Sequence, residues 1–259
     1  MRNILINARD RSGDDRPDPS RLKNLQTAYL NHAQWSGTCT LLKKENTISC
    51  QLELVIIRRG QDMTEAFNRV YQFKITIKGI KPPIWRRIHV PETYTFWELN
   101  CAIQDAIEWT GGHLYEFTCL NPKTGINDTI SMPDGELDRT VKDGRKKKIA
   151  AYFSLKNKNA AYVYDFGDYW EHTVVLEKII PADPKINYPC CIAGKRNGPP
   201  DDVGGVFGYE EFISIMKDPH NKEHDEMVEW YGDIYDPEEF DCTQVVFNDP
   251  DAWLSLMGE

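Results

Sequence analysis

Long apolar runs are missing from this chain of 259 residues. Stretches such as Ile149-Ala150-Ala151-Tyr152-Phe153 fall far short of the ~20 residues that span a bilayer, and Ile4-Leu5-Ile6 is too short for a signal-peptide core. The expectation is a cytoplasmic protein with no membrane partner. Cysteine patterning is missing too: seven cysteines, an odd number, fit reduced thiols better than a disulfide framework, which leaves the sequon Asn127-Asp128-Thr129 idle. There is no Gly-x-x-x-x-Gly-Lys-Ser/Thr loop, no Gly-x-Gly-x-x-Gly after a strand and no Gly-x-Ser-x-Gly elbow, so the kinase, Rossmann and α/β-hydrolase readings fall. Basic residues are nearly absent from the end of the chain. Residues 1–200 carry 29 Lys and Arg against 23 Asp and Glu, whereas residues 201–259 carry 2 against 17. Such a segment repels phosphate backbones, because Lys and Arg supply the sequence-independent part of nucleic-acid affinity.

What is present is globular: 41% hydrophobic, 11% aromatic and 27% charged residues. At this length roughly three quarters of the unfolded surface can be buried, so a metal would serve function rather than hold the core. The acidic end is no simple tail, since Phe212, Trp230, Tyr231, Tyr235, Phe240, Val246 and Trp253 punctuate it and can pack. It reads as a solvated face over a helical subdomain, as a docking surface for a basic protein partner, or as a cover for the basic run Arg145 to Lys148.

Residues 1–20 are rich in charge, Gly and Pro and read as a mobile lead-in; residues 21–70 read as a helix to about Gln34 followed by a hairpin, Thr38 to Leu42 and Ile48 to Ile57. From Tyr71 alternation predicts strands at Tyr71 to Ile77 and Ile84 to Val90. Thr95-Phe96-Trp97-Glu98 is a capping box opening a helix that ends at Gly111-Gly112. Further strands are expected at Leu114 to Leu120, Lys148 to Leu155, Ala161 to Tyr164 and Glu171 to Ile180, with a hairpin turn at Asn157 to Asn159. Helices are expected at Tyr209 to Lys217, Glu223 to Tyr231 and from Pro237 onward. Strands first and helices late, with one early crossing helix, predict an α+β fold with a mainly antiparallel sheet and an acidic helical C-terminal subdomain.

Two loops carry chemistry. Asp165-Phe166-Gly167-Asp168-Tyr169-Trp170-Glu171-His172 packs three carboxylates and an imidazole between two strands. Asp165, Asp168 and His172, joined by Asp202, are the candidate ligands of a divalent metal; a turn that merely reverses the chain favours Asp and Gly equally. Pro199-Pro200-Asp201-Asp202-Val203-Gly204-Gly205 is stiffened by two prolines and either caps the following helix or brings Asp201 and Asp202 beside Asp168 and His172 for metal binding or acid/base work. His113, after two glycines, either caps the preceding helix or joins that cleft. His220 and His224 have i, i+4 spacing, and Cys190-Cys191 are adjacent; both are weaker candidates for metal. Trp85-Arg86-Arg87 and Arg145-Lys146-Lys147-Lys148 are candidate nucleic-acid contacts, with a solvated strand and turn as the alternative.

Four segments, Tyr71 to Ile77 with Pro82-Pro83-Ile84-Trp85-Arg86-Arg87, His113 to Phe117, Tyr164 to His172, and Pro199 to Gly205 with Gly208 to Phe212, resemble the plasmid pRiA4b ORF-3-like family in the expected order. The resemblance implies a domain at 71–248, followed by a tail at 249–259, a compact α+β fold and an association with plasmids and other mobile genetic elements. This chain departs from the family in having Gly198-Pro199-Pro200-Asp201-Asp202 where Pro-Pro-Glu-Asp, often after a Cys, is usual. The functional expectation is a non-enzymatic binding or scaffold module presenting its acidic C-terminal surface to a protein. The alternatives are a metal-dependent hydrolase or nuclease built on Asp165, Asp168, Glu171, His172, Asp201, Asp202 and His113, and an accessory protein that associates with nucleic acid.

Overall fold

The computed structural model describes residues 67–133 and 140–256. The lead-in and the helix-plus-hairpin unit, up to residue 66, lie outside the described residues. Strand β1 (Arg69–Ile77) places Tyr71, Phe73, Ile75 and Ile77 on one face, all buried, and Lys74 and Thr76 on the other. It pairs antiparallel with β2 (Trp85–Pro91) and, across a bulge at Gln72/Phe73, with β7 (Trp170–Pro181). The remaining strands are β3 (Tyr115–Leu120), β4 (Asn127–Ser131), β5 (Lys142–Asp143), β6 (Asn159–Tyr164) and β8 (Cys190–Lys195). Together they form one eight-stranded sheet in the order β5-β4-β3-β6-β7-β1-β2-β8, antiparallel except for the β4–β5 pair. The α+β class is the one the order of elements predicts.

Helix α1 (Phe96–Ile107) opens on the capping box: Glu98 N donates to Thr95 Oγ1 at 3.2 Å and Thr95 N donates to Glu98 Oε2 at 2.6 Å. Phe96, Leu99, Ile103 and Ala106 are fully buried against the inward row of the sheet. The helix stops earlier than its glycines suggest, because Glu108 takes the left-handed conformation at φ 74°. Three more helices follow: α2 (Gly205–Met216), α3 (His224–Tyr231) and α4 (Pro250–Leu256). Tyr209 of α2 meets the inward Trp170 edge-on, so α2 lies on the same face of the sheet as α1. The opposite face has no helix over it among the described residues.

Four expectations are corrected. Lys148 to Leu155 is not a strand: Ile149 N bonds Tyr94 O, Phe96 N bonds Lys147 O, and a 3-10 turn at Ile149–Ala151 drops Ile149 and Phe153 into the core beneath the start of α1. The turn before β6 is closed between Ser154 and Asn157, and Asn159 already belongs to the strand. No helix begins at Pro237; the last one starts at Pro250. Neither aspartate caps α2, whose N-cap is Gly204 without a side-chain bond. Strands β4, β5 and β8 were not expected, β8 because Cys190-Cys191-Ile192-Ala193-Gly194-Lys195 sits within a stretch rich in Pro and Gly.

Candidate functional site

The loop between β6 and β7 and the loop leading into α2 meet at one end of the sheet. Asp168 Oδ2 accepts from Gly204 N at 2.9 Å. Gly205, at φ 67°, lies so close to Asp168 that a Cβ would collide with the Asp168 carbonyl oxygen. Gly205→Ala therefore both strains the backbone and separates the loops, and its expected cost is at least about 2 kcal/mol in a denaturant titration. A midpoint unchanged from wild type would show that the loops are not in contact.

The proline loop is held from below. Trp109 Nε1 donates to Pro199 O at 2.8 Å while its ring stacks on Tyr164, centroids 4.8 Å apart. Thr110 N and Thr110 Oγ1 both donate to Asp201 Oδ2 at 2.7 Å. Burial raises the Asp201 carboxyl above its usual range, the Thr110 hydrogen bonds oppose that shift, and the neighbouring Asp202 charge adds to it. On the sheet side, Asp165 Oδ1 accepts from Gly167 N at 2.8 Å and the loop closes with Tyr169 N on Asp165 O. Asp165, Tyr169 and Asp202 have φ of 55°, 56° and 59°, three of the five non-glycine left-handed residues among those described. Each such conformation costs about 1–2 kcal/mol, so the surrounding contacts must impose it.

Between the loops stands His113. Its Nε2 is 3.1 Å from Asp202 Oδ1 and its Nδ1 is 3.8 Å from Asp165 Oδ1. One donor atom from each of His113, Asp165 and Asp202 lies within 4.8 Å of the others. Ligands of an ion bonded at about 2.1 Å stand roughly 3.0–3.4 Å apart, so closing on a cation takes a movement on the order of 1–2 Å. Tyr164 adds a polar group beside them: its ring meets that of His113 edge-on, and its hydroxyl is sealed from solvent without a well-formed hydrogen bond. Burial, followed by the charges of Asp201, Asp165 and Asp202, pushes that hydroxyl far above its ordinary value.

The structure thus brings together His113, Asp165, Asp168, Asp201 and Asp202 and leaves two of the candidates elsewhere. His172 is fully buried in the core, its ring packed against Tyr162 and Trp109, with Nδ1 3.4 Å from Tyr162 O and Nε2 unpartnered. Its inward position follows the alternation Trp170, His172, Val174, Leu176, a signal already present in the sequence. Glu171 points to the other face and pairs with Lys78 at 3.2 Å. Trp109 and Thr110 have no motif of their own, and Tyr164, though it opens the segment Tyr164 to His172, is not among the candidates; only the tertiary fold assigns the three to the site. His224 opens α3 and His220 precedes it, so the two do not share a helix face. Cys190 and Cys191 lie on edge strand β8 as free thiols.

The nucleic-acid set does not form one surface. Arg86 is a core residue: Nε donates to Ala106 O at 2.7 Å, Nη1 to Trp85 O and Lys195 O at 3.1 and 3.2 Å, and the guanidinium lies 3.7 Å over the ring of Phe240. Arg145 and Lys146 pair with Asp143, and Lys148 Nζ bonds Thr93 O at 2.7 Å; the backbone of Lys147 meets the first turn of α1. Trp85 and Arg87 alone lie on the open face, where Arg87 pairs with Glu177 at 2.6 Å.

Among proteins of known sequence, the family described as Plasmid pRiA4b ORF-3-like protein matches residues 69–244. The uncharacterized protein y4hQ of Sinorhizobium fredii is 35% identical over 163 residues, 63% of this chain and 81% of that one. The crystal structure of MM3350, a protein of unknown function from Methanosarcina mazei Go1, is 48% identical and superposes with a TM-score of 0.66, covering 70% of this chain and all of that one. In the described residues no helix is long and apolar enough to cross a membrane.

Proposed function

This chain belongs to the plasmid pRiA4b ORF-3-like family, and from that premise we propose that it is a non-enzymatic binding module whose loop junction holds a divalent cation. The observation that carries the reading is the triad: an imidazole and two carboxylates from three separate segments, within 4.8 Å of one another. One nitrogen and two oxygens suit a first-row ion such as Mn²⁺ or Zn²⁺ and leave positions open for water or a ligand. The ion would tie the sheet, through His113 and Asp165, to the segment that launches α2, through Asp202. Its occupancy would then set how firmly the acidic helical layer is held. That layer is the proposed docking surface for a basic protein: Glu210, Glu211, Asp225, Glu226 and Glu229 are exposed, and Phe207 and Ile234 stand 86% and 74% exposed among them. Metal-assisted hydrolysis is a second reading, favoured by the shifted Asp201 carboxyl beside the triad as a proton acceptor.

The test is thermal unfolding with and without Mn²⁺ or Zn²⁺. An ion at a hundred times its dissociation constant contributes about 2.7 kcal/mol, which for a domain of this size raises Tm by roughly 5–10 °C. Asp202→Asn is expected to remove most of that rise. No rise with either ion, or a rise that survives Asp202→Asn, would overturn the metal assignment.

A further inference from the structure

The open face of the sheet gathers cations on a protein that is acidic as a whole. Lys74 on β1, Trp85 and Arg87 on β2, Lys178 on β7 and Lys195 on β8 project from it, and the register sets Lys74 opposite Arg87, Lys195 opposite Trp85 and Lys178 opposite Gln72. Lys158 and Lys178 line the same shallow groove with Val175, Ile192 and the Arg87–Glu177 pair. Of these cations only Arg87 has a carboxylate at ion-pair distance among the described residues; Lys74, Lys158, Lys178 and Lys195 have none. At the Lys74 and Lys195 end of this set is one half-buried indole, Trp85, with Lys74 Nζ 5.0 Å and the Arg87 guanidinium 5.1 Å from its ring centroid. The acidic α2 and α3 belong to the other face.

We infer that this face is a landing surface for single-stranded nucleic acid. A flat sheet presents its outward side chains at a regular spacing of about 6.7 Å along each strand. Four lysines without a carboxylate at ion-pair distance among the described residues, two of them (Lys158 and Lys178) lining the groove, give the electrostatic part of such binding, and an indole beside Lys74 gives the stacking part. A duplex is a poorer fit, because among the described residues no helix or ribbon projects from this face to enter a groove. An acidic peptide or the acidic layer of a second copy would satisfy the lysines and leave the indole unused. Glu171 and Glu177 on this face are paired with Lys78 and Arg87. Placing the acidic helices on the opposite face answers the repulsion expected from the C-terminal segment, because exposed charges farther apart than about 8–10 Å are largely screened at physiological salt.

The experiment is fluorescence anisotropy of a labelled 12-mer oligothymidine with the full chain in chelator, so that it does not depend on the metal assignment. Binding is expected to weaken with salt at a slope of about −3 in log K against log salt, from four phosphate contacts at ~0.7 each. Replacing Lys74, Lys158 and Lys178 together by Gln should flatten the slope to about −1. Trp85→Leu should weaken binding at least roughly fivefold while leaving the slope unchanged. Far-ultraviolet circular dichroism and the denaturation midpoint check that each variant is folded. Absence of binding at 50 mM salt, a salt-independent affinity, equal binding of polyglutamate, or self-association of the protein abolished by the same triple change would each overturn the inference; so would insensitivity to Trp85→Leu.

Discussion

Between pH 7 and pH 5 the wild-type protein is expected to lose about 2 kcal/mol of stability relative to a His172→Leu variant. Burial pushes the His172 imidazole down to about 3, against 6.5 when unfolded, with bonds to the Tyr162 and Trp170 backbone opposing the shift. The native ring stays neutral throughout that interval while the unfolded ring takes a proton. Stability is therefore complete above about pH 6.5 and falls toward pH 3 by ~1.4 kcal/mol per pH unit, on the order of 4–5 kcal/mol in all. Asp105 works in the opposite direction. Burial raises its carboxyl to about 6, although Asn248 N and Nδ2 donate to it at 2.9 and 2.7 Å, so the folded state gains a proton first and stability rises as pH falls from 6 toward 3.8. The two slopes nearly cancel in the wild type between those limits, which is why the comparison with the variant is needed. Urea titrations of both proteins at pH 7, 6 and 5 give the answer, and parallel curves would mean that His172 is reachable by solvent. An apolar replacement is the informative one because the ring leaves Nε2 without a partner, and leucine removes that orphan with the charge.

Arg86→Met is expected to lower stability by about 2–5 kcal/mol, and Arg86→Lys to be no better. Two effects oppose each other. Burial without a carboxylate partner drags the Arg86 guanidinium down to about 10, a penalty on the order of 3 kcal/mol that methionine would relieve. Against it, methionine strands three backbone carbonyls, those of Ala106, Trp85 and Lys195, whose charge-assisted bonds are worth about 1.5–3 kcal/mol each. The second sum is larger. Ala106 lies in the last turn of α1, where the guanidinium also meets the negative end of the helix dipole. Phe240 presses on the same guanidinium and on Gly194 of β8, where any Cβ would collide with its ring, so the loss extends to the packing of the C-terminal segment on the sheet. Lysine keeps the buried charge but cannot reach three acceptors with a planar fork. A fully stable Arg86→Met protein, judged by its denaturation midpoint, would remove Arg86 from the core.

The elements that were legible are those in which local rules and burial agree. Tyr71 to Ile77 alternates because one face of β1 is buried, and Thr95 with Glu98 closes α1 through bonds between neighbours in sequence. Lys148 to Leu155 misled because its apolar residues are buried by the start of α1, a contact no local period encodes. The same limit applies to the site. The two acidic loops were recognisable from their Asp, Gly and Pro content, and His113 was among the candidates. Grouping His172 with the loop carboxylates overlooks the period of β7, which turns residue 172 inward with Trp170 and Val174.

Composition, alternation and capping were enough to determine an α+β chain with an antiparallel sheet, a crossing helix and an acidic helical end, because hydrophobic period and short-range hydrogen bonds are properties of neighbouring residues. Which imidazole stands between Asp165 and Asp202, that Arg86 is a core residue while Arg87 is not, and that Lys74, Lys178 and Lys195 share the face opposite the acidic helices were decided only by the tertiary structure. Those facts depend on pairing between strands a hundred residues apart and on the side of the sheet each register selects. A shift of one residue would exchange the faces, and only the packed core forbids it.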